Sequence, residues 1–234
     1  MAYRLRIAQT PEEIHAVQRF RYDVVKADGH LDRYSWAEGY LDDGLDEQST
    51  LVYVQEGEEM IGTLRHTAFL AGQTPSAFEW MFDLSELKAR APGTPLSVSS
   101  KMMIAPAYRG RGAALMMLQR LAGLVLDSGA KMDLVVCEPA VLVYYLRYGY
   151  RQYGGLAHFP NGEVTPRLVL HTTDYGYARL VGSPVLGRVE DRILPSPGPW
   201  LAFWRQFFPS FHPAPHNRWA QELDSHFPGL RQAT

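Results

Sequence analysis

Residues 104–114 read Ile-Ala-Pro-Ala-Tyr-Arg-Gly-Arg-Gly-Ala-Ala. They place two glycines and two arginines where an apolar run gives way to an apolar helical pattern. Val98 and Met102 to Ile104 supply the run, Pro106 stops it, and Ala113 to Leu126 carry the pattern, so the segment reads as strand, tight turn and helix. The first turn of a helix leaves N–H groups unpaired, and glycine lets an anion approach them closely. With Arg109 and Arg111 beside it, the expected ligand is a phosphate or pyrophosphate. The spacing is not that of a nucleotide P-loop, G-x-x-x-x-G-K-[ST], and the full G-x-G-x-x-G dinucleotide signature is missing.

Other residues have chemistry but no spacing that selects them. Ser99 and Ser100 precede the turn on the same strand, and either side chain could bind the ligand, or a neighbouring backbone N–H an oxyanion. Lys101 could hold a carboxylate or a phosphate. His66, Glu79 and Glu138 are candidate proton acceptors. Cys137 is the only cysteine, so no internal disulfide exists, and at a strand end it reads as a small buried hydrophobe. His212 and His216, with Glu190 and Asp191, lie in a Pro-rich stretch without metal-ligand spacing, and no metal is expected.

The elements that must position these residues follow in order. Tyr3 to Ala8 alternates as a strand. Thr10-Pro11-Glu12-Glu13 is a capping box with Pro at the first helical position, opening a helix with an Ile14, Val17, Phe20 and Val24 stripe that ends near Asp28-Gly29. Residues 29–47 form an acidic loop with scattered aromatics. Leu51 to Val54 and Met60 to Thr67 are strands joined at Gly57. Within 68–95, Met81 to Arg90 suggests a short helix. Met132 to Cys137 is a strand and Glu138 to Tyr148 a helix. Tyr150 to Phe159 and Val164 to Thr172 are strands around Pro160-Asn161-Gly162. Such mixed elements predict an α/β layer architecture around a twisted sheet.

Arg109-Gly110-Arg111-Gly112-Ala113-Ala114 resembles the acyl-CoA-binding signature of the GNAT N-acyltransferase superfamily, with Arg109, Gly112 and Ala114 at its fixed positions. Tyr145-Leu146-Arg147-Tyr148-Gly149-Tyr150 looks like that superfamily's tyrosine, three residues, glycine, aromatic element. Arg21, Asp43, Asp46 and Arg65 follow the order of the acyl-homoserine lactone synthases and the long-chain N-acyl amino acid synthases. Val98 and Lys101 stand where those groups often carry a glutamate and an arginine, which favours acylation of another amine over lactone synthesis.

The resemblance implies a GNAT-like α/β fold over residues 1–172, with a mixed, mostly antiparallel twisted sheet flanked by helices. The donor would be an acyl-CoA or an acyl-phosphopantetheine on acyl carrier protein. Met103, Ile104 and residues 109–114 would bind it, and Tyr145, with Tyr144 as rival, would protonate the leaving thiolate. Beside what the resemblance implies, Ser99, Glu138 and His66 are the catalytic candidates that residue chemistry and position supply. Arg21, Asp43, Asp46 and Arg65 would form a charged network that shapes the cleft, either as structural salt bridges or with at least one of them meeting an amine such as an amino acid, and Lys101 would add to the substrate site. The expected function is N-acyl transfer of a medium or long chain. The alternatives are acetyl transfer from acetyl-CoA to a small amine and noncatalytic sensing of acyl-CoA.

Composition sets the outer limits. The chain has 234 residues, 46% hydrophobic and 21% charged, with net charge −2, which fits a folded protein and gives no basic face for nucleic acid. No apolar run of spanning length and no apolar leader core is expected, and one cysteine suits a reducing, cytoplasmic setting. From residue 173 onward Pro becomes frequent around Trp200-Leu201-Ala202-Phe203-Trp204. Residues 173–234 are expected to be an extension that packs on the core or on a partner, a homodimer contact being one such role.

Overall fold

The structure is a computed structural model that describes residues 2–31, 39–69, 76–90, 93–159, 161–172 and 174–184. The expectations for Trp200 to Phe208, Glu190, Asp191, His212 and His216 lie outside the described residues. Seven strands run in the order β1-β2-β3-β4-β5-β7-β6, and the chain divides into two compact units, with residues up to Ala68 and Val98–Leu124 in the first.

In the first unit, β1 (Tyr3–Ile7), β2 (Thr50–Glu56) and β3 (Glu59–Phe69) pair antiparallel in sequence order. Gly57 turns the β2–β3 hairpin at φ +61, a left-handed angle that glycine adopts without a steric cost. The helix α1 (Pro11–Ala27) starts on the expected capping box: Thr10 accepts from the Glu13 N–H at 3.2 Å, and Glu13 accepts from the Thr10 N–H. Asp28 caps its other end. Val17 packs with Leu51 and Tyr53, with Ile14 and Met60 against them. The buried face differs from the expected stripe. It consists of Val17, Gln18, Arg21, Val24 and Val25, while Phe20 is only half-buried. The strand β4 (Leu96–Ile104) leads through a 3-10 turn, Pro106–Tyr108, to the helix α4 (Ala113–Asp127). Gly62 on β3 lets α4 close in, since a Cβ there would stand 3.1 Å from Met117 Cε and 3.4 Å from the Met103 carbonyl oxygen.

In the second unit, β5 (Met132–Val136) and β6 (Arg151–His158) each pair antiparallel with β7 (Val164–His171). The ambiguous stretch before β4 holds two helices, α2 (Ser76–Phe82) and α3 (Leu84–Arg90), broken at Asp83 with φ +51. Tyr153 donates to the Phe82 carbonyl at 2.8 Å and Arg167 to the Met81 carbonyl at 2.8 Å, so the end of α2 is held from the sheet. The expected helix from Glu138 is a 3-10 turn, Pro139–Val141, followed by α5 (Leu142–Tyr148), which ends on left-handed Gly149 with φ +103. The helix α6 (Tyr175–Leu180) opens the expected extension, and Ser183 donates to the Tyr148 carbonyl at 2.9 Å. The rest of that extension lies outside the described residues.

Candidate functional site

The turn at 109–114 has the strand-turn-helix setting read from its sequence. Gly110 and Gly112 have φ +74 and +92, and a Cβ on either would meet nothing within 4 Å, so space is open above both. In α4, Met116 donates to the Gly112 carbonyl at 3.1 Å. The N–H groups of Ala113, Ala114 and Leu115 precede that first intrahelical bond and form the open, electropositive end of the helix.

The two arginines of this turn have different roles. Arg109 donates to the Ile104 carbonyl at 3.1 Å and to Asp28 at 2.6 Å. Its guanidinium therefore ties the turn to the end of α1. Arg111 lies over the Tyr108 ring at 5.7 Å, and Tyr108 donates to Glu59 at 2.7 Å. Met103 and Ile104 are half-buried at the end of β4, and the Ala105 N–H is bonded to the Ile61 carbonyl at 3.0 Å.

The first unit also gathers the four charges that the sequence scatters over its length, and adds Lys101. Asp46 accepts from Arg21 Nη1 at 2.9 Å, Arg65 Nη1 at 3.2 Å and Gln18 Nε2 at 3.1 Å. Arg65 grips Asp43 with both terminal nitrogens, Nη2 at 2.8 Å, and its Nε donates to Ser100 Oγ at 3.0 Å. Lys101 Nζ stands 3.4 Å from Asp43 Oδ2. Arg21, Asp46 and Arg65 are at most 1% exposed, whereas Lys101 and Asp43 retain 15% and 24%. The network thus has a buried base and an accessible end that carries one ammonium and one carboxylate.

Burial opposes the charge on Arg21, Asp43, Arg65 and Lys101, and the pairing decides which way each of these four moves. It lowers the Arg21 guanidinium despite Asp46, and leaves its Nε and Nη2 groups buried without acceptors among the described residues, a cost of about 1–3 kcal/mol for each such group. Burial also pushes the Asp43 carboxyl up, but hydrogen bonds from Arg65 and the charge of Lys101 outweigh it and hold the group well below the usual range. Burial lowers Lys101 to about 8, helped by the charges of Arg65 and Arg21 and opposed by Asp43. Lys101 also has φ +55 within β4, a conformation that costs a non-glycine residue about 1–3 kcal/mol. Nothing in the Ser-Ser-Lys-Met sequence signals that angle.

Of the remaining residues of this unit, Ser99 and His66 are buried on β4 and β3. In the second unit, Tyr145 is buried on α5 with its ring edge-on to Tyr150 at 5.3 Å, and Tyr144 is exposed. Burial, then Cys137 and Asp133, pushes the Tyr145 phenol up. Asp133 accepts from Ser97 at 2.6 Å and from Tyr150 at 2.5 Å. Sequence reasoning missed this fixed point beneath Tyr145, because a lone Asp in an apolar strand gives no hint of its partners. Glu138 is exposed at the head of its 3-10 turn, and Glu79 is ion-paired to Lys88 at 2.9 Å. Burial pushes the Cys137 thiol up, which leaves it a poor nucleophile. Among the described residues no cluster of His, Cys, Asp or Glu could hold a metal, and no helix is long and apolar enough to cross a membrane.

No family model matches the chain, and no curated protein matches it in sequence. Solved structures do match it in fold. An N-acyl amino acid synthase from uncultured soil microbes, FeeM, aligns with a TM-score of 0.63 and 17% identity, over 77% of this chain and 97% of that one. A CoA-dependent acyl-homoserine lactone synthase, BjaI, aligns at 0.60 and 16%, over 78% and 91%. The acyl-homoserine lactone synthase LasI aligns at 0.56 and 18%, over 73% and 90%. At such identities the likeness establishes architecture, and the chain has the GNAT fold in the form these synthases share.

Proposed function

We propose that the protein is an N-acyltransferase that moves an acyl group from a pantetheine thioester to an amine. The observation that carries this reading is the turn at 109–114. Two left-handed glycines with open space above them lead into the unpaired N–H groups of α4, and Arg109 is spent on holding that backbone in place. A diphosphate is the anion such an end suits, and CoA carries one. Gripping the donor there orients the distant thioester, so that binding at one end lowers the entropy cost of reaction at the other.

Direct attack by a neutral amine on the thioester carbonyl needs three things besides the donor grip. An N–H near Ser99 or Ser100 is assigned to the oxyanion. Tyr145 is assigned the proton for the departing thiolate. Its burial keeps the phenol protonated at every physiological pH, and the same apolar setting makes an unprotonated thiolate costly. The accessible Lys101–Asp43 end of the charged network is assigned to the acceptor: Asp43 attracts its ammonium, and an amino acid is the proposed acceptor class, which the name of one fold neighbour, an N-acyl amino acid synthase, supports. The proposed acyl group is a medium or long chain; the fold neighbours' names support acyl transfer as such, in one case to an amino acid and in another from CoA. Acyl carrier protein is the alternative donor carrier.

The test is thiol release from acyl-CoAs of graded length with a panel of amino acids and simple amines, and mass-spectrometric identification of the amide. Amide formation from fatty donors and an amino acid is expected. Efficient use of acetyl-CoA with poor use of fatty donors would convert the proposal to an acetyltransferase. Binding of acyl-CoA without turnover on any amine would make the protein a sensor.

A further inference from the structure

Three cations share the buried network, and only one of them can give up its proton. Arg21 and Arg65 stay charged at any accessible pH. Lys101 is the single titratable residue of β4, whose sequence is Leu-Ser-Val-Ser-Ser-Lys-Met-Met-Ile. It is also the cation at the accessible end of the network, and its left-handed backbone fixes it beside Asp43. Asp43 is clamped by both terminal nitrogens of Arg65, so a substrate ammonium drawn to this carboxylate arrives within a few ångströms of Lys101 Nζ.

We propose that Lys101 is the base that deprotonates the acceptor amine. The proposal rests on the acyl-transfer reading above. Neutral Nζ takes a proton from the substrate ammonium held at Asp43, which frees the nitrogen lone pair. That pair forms the C–N bond to the thioester carbonyl carbon, and collapse of the adduct breaks the C–S bond. The thiolate leaves and takes up one proton as the new amide nitrogen loses one, and the Lys101 ammonium returns its proton to water. An ammonium and a thioester thus become an amide, a thiol and one released proton.

The groups that face Nζ set the balance. Burial and the guanidiniums of Arg65 on β3 and Arg21 on α1 favour the neutral amine, and Asp43 of the loop before β2 favours the ammonium. The outcome, about 8, gives a useful neutral fraction near neutral pH, where an ordinary lysine near 10.4 has almost none. Catalytic bases with values close to the working pH are the efficient ones.

Two measurements test the proposal. The first needs no turnover: competitive labelling of the wild-type protein with acetic anhydride across pH, with the Lys101 peptide followed by mass spectrometry. A midpoint near 8 is expected, and a midpoint at the ordinary lysine value overturns the proposal. The second compares the wild-type protein with Lys101→Arg, which keeps the cation and its length but cannot act as a base. Wild-type thiol release should rise through a limb near pH 8. The variant should bind acyl-CoA unchanged, lose turnover by about 100-fold and lose that limb. Turnover and pH profile unchanged in a folded Lys101→Arg protein overturn the proposal and leave the acyl-transfer reading standing. Absence of thiol release by the wild-type protein with every donor overturns both.

Discussion

Among the described residues each unit buries one aspartate, and the two are satisfied in opposite ways. Asp46, in the first unit, is met by two guanidiniums and an amide. Asp133, in the second, is met by the hydroxyls of Ser97 and Tyr150. The first arrangement concentrates charge and ends in the accessible Lys101–Asp43 pair. The second concentrates neutral donors under a phenol, Tyr145, that must stay protonated for its assigned work. A buried carboxylate by itself therefore says little about a site, and what its partners can do with a proton says more.

The sharpest way to break this comparison is to remove one carboxylate charge from each unit. Asp46→Asn removes the carboxylate that pairs with buried Arg21, while Arg65 keeps Asp43, and should cost about 3–5 kcal/mol of unfolding free energy in urea. Asp133→Asn keeps an acceptor oxygen for one hydroxyl and an NH2 for the other, and should cost about 1–3 kcal/mol. Equal losses would show that the two aspartates are energetically alike. Between these stands Tyr145→Phe, which should lower turnover by about 100-fold with little change in donor affinity or stability. Turnover equal to that of the parent would remove Tyr145 from its role.

The last effect is one of pH. His171, in the second unit, is buried and lowered to about 4, with burial the leading cause. Between that value and the ordinary 6.5, the unfolded chain binds a proton that the folded chain refuses, so acidification through this window removes stability, roughly 3 kcal/mol at most. His171→Gln should flatten that slope in urea unfolding at stepped pH. Asp43 works in another window. Its folded value is depressed, so the stability it contributes is present above its ordinary 3.8 and lost only as pH falls below that. A slope between pH 6.5 and 4 that persists in the His171 variant would assign it to other groups.

The parts of this molecule governed by neighbours in sequence were legible in advance. Thr10, Pro11 and Glu13 set the start of α1, and Gly57 the β2–β3 turn, because caps and turns are short-range devices. The glycine turn before α4 belongs with them. Arg21 was legible as a member of a charged set only through resemblance. Its burial against Asp46, 25 positions away, reverses the polarity that an amphipathic stripe predicts. Arg109 carries positive charge at the turn, as expected, but its partner Asp28 lies 81 positions away, and no local pattern announces that contact. The break at Asp83 and the left-handed Lys101 were hidden for the same reason: the sequence around each permits a regular helix or strand, and only packing imposes the other conformation.

The account depends above all on where the donor's anionic end sits. The direct measurement is the backbone amide spectrum of the labelled protein titrated with a nonhydrolysable acyl-CoA thioether. Saturable shifts of the Gly110 to Leu115 amides, weakened when the phosphates are omitted from the probe, are predicted. Binding that leaves those amides unmoved and perturbs another part of the chain would contradict the account.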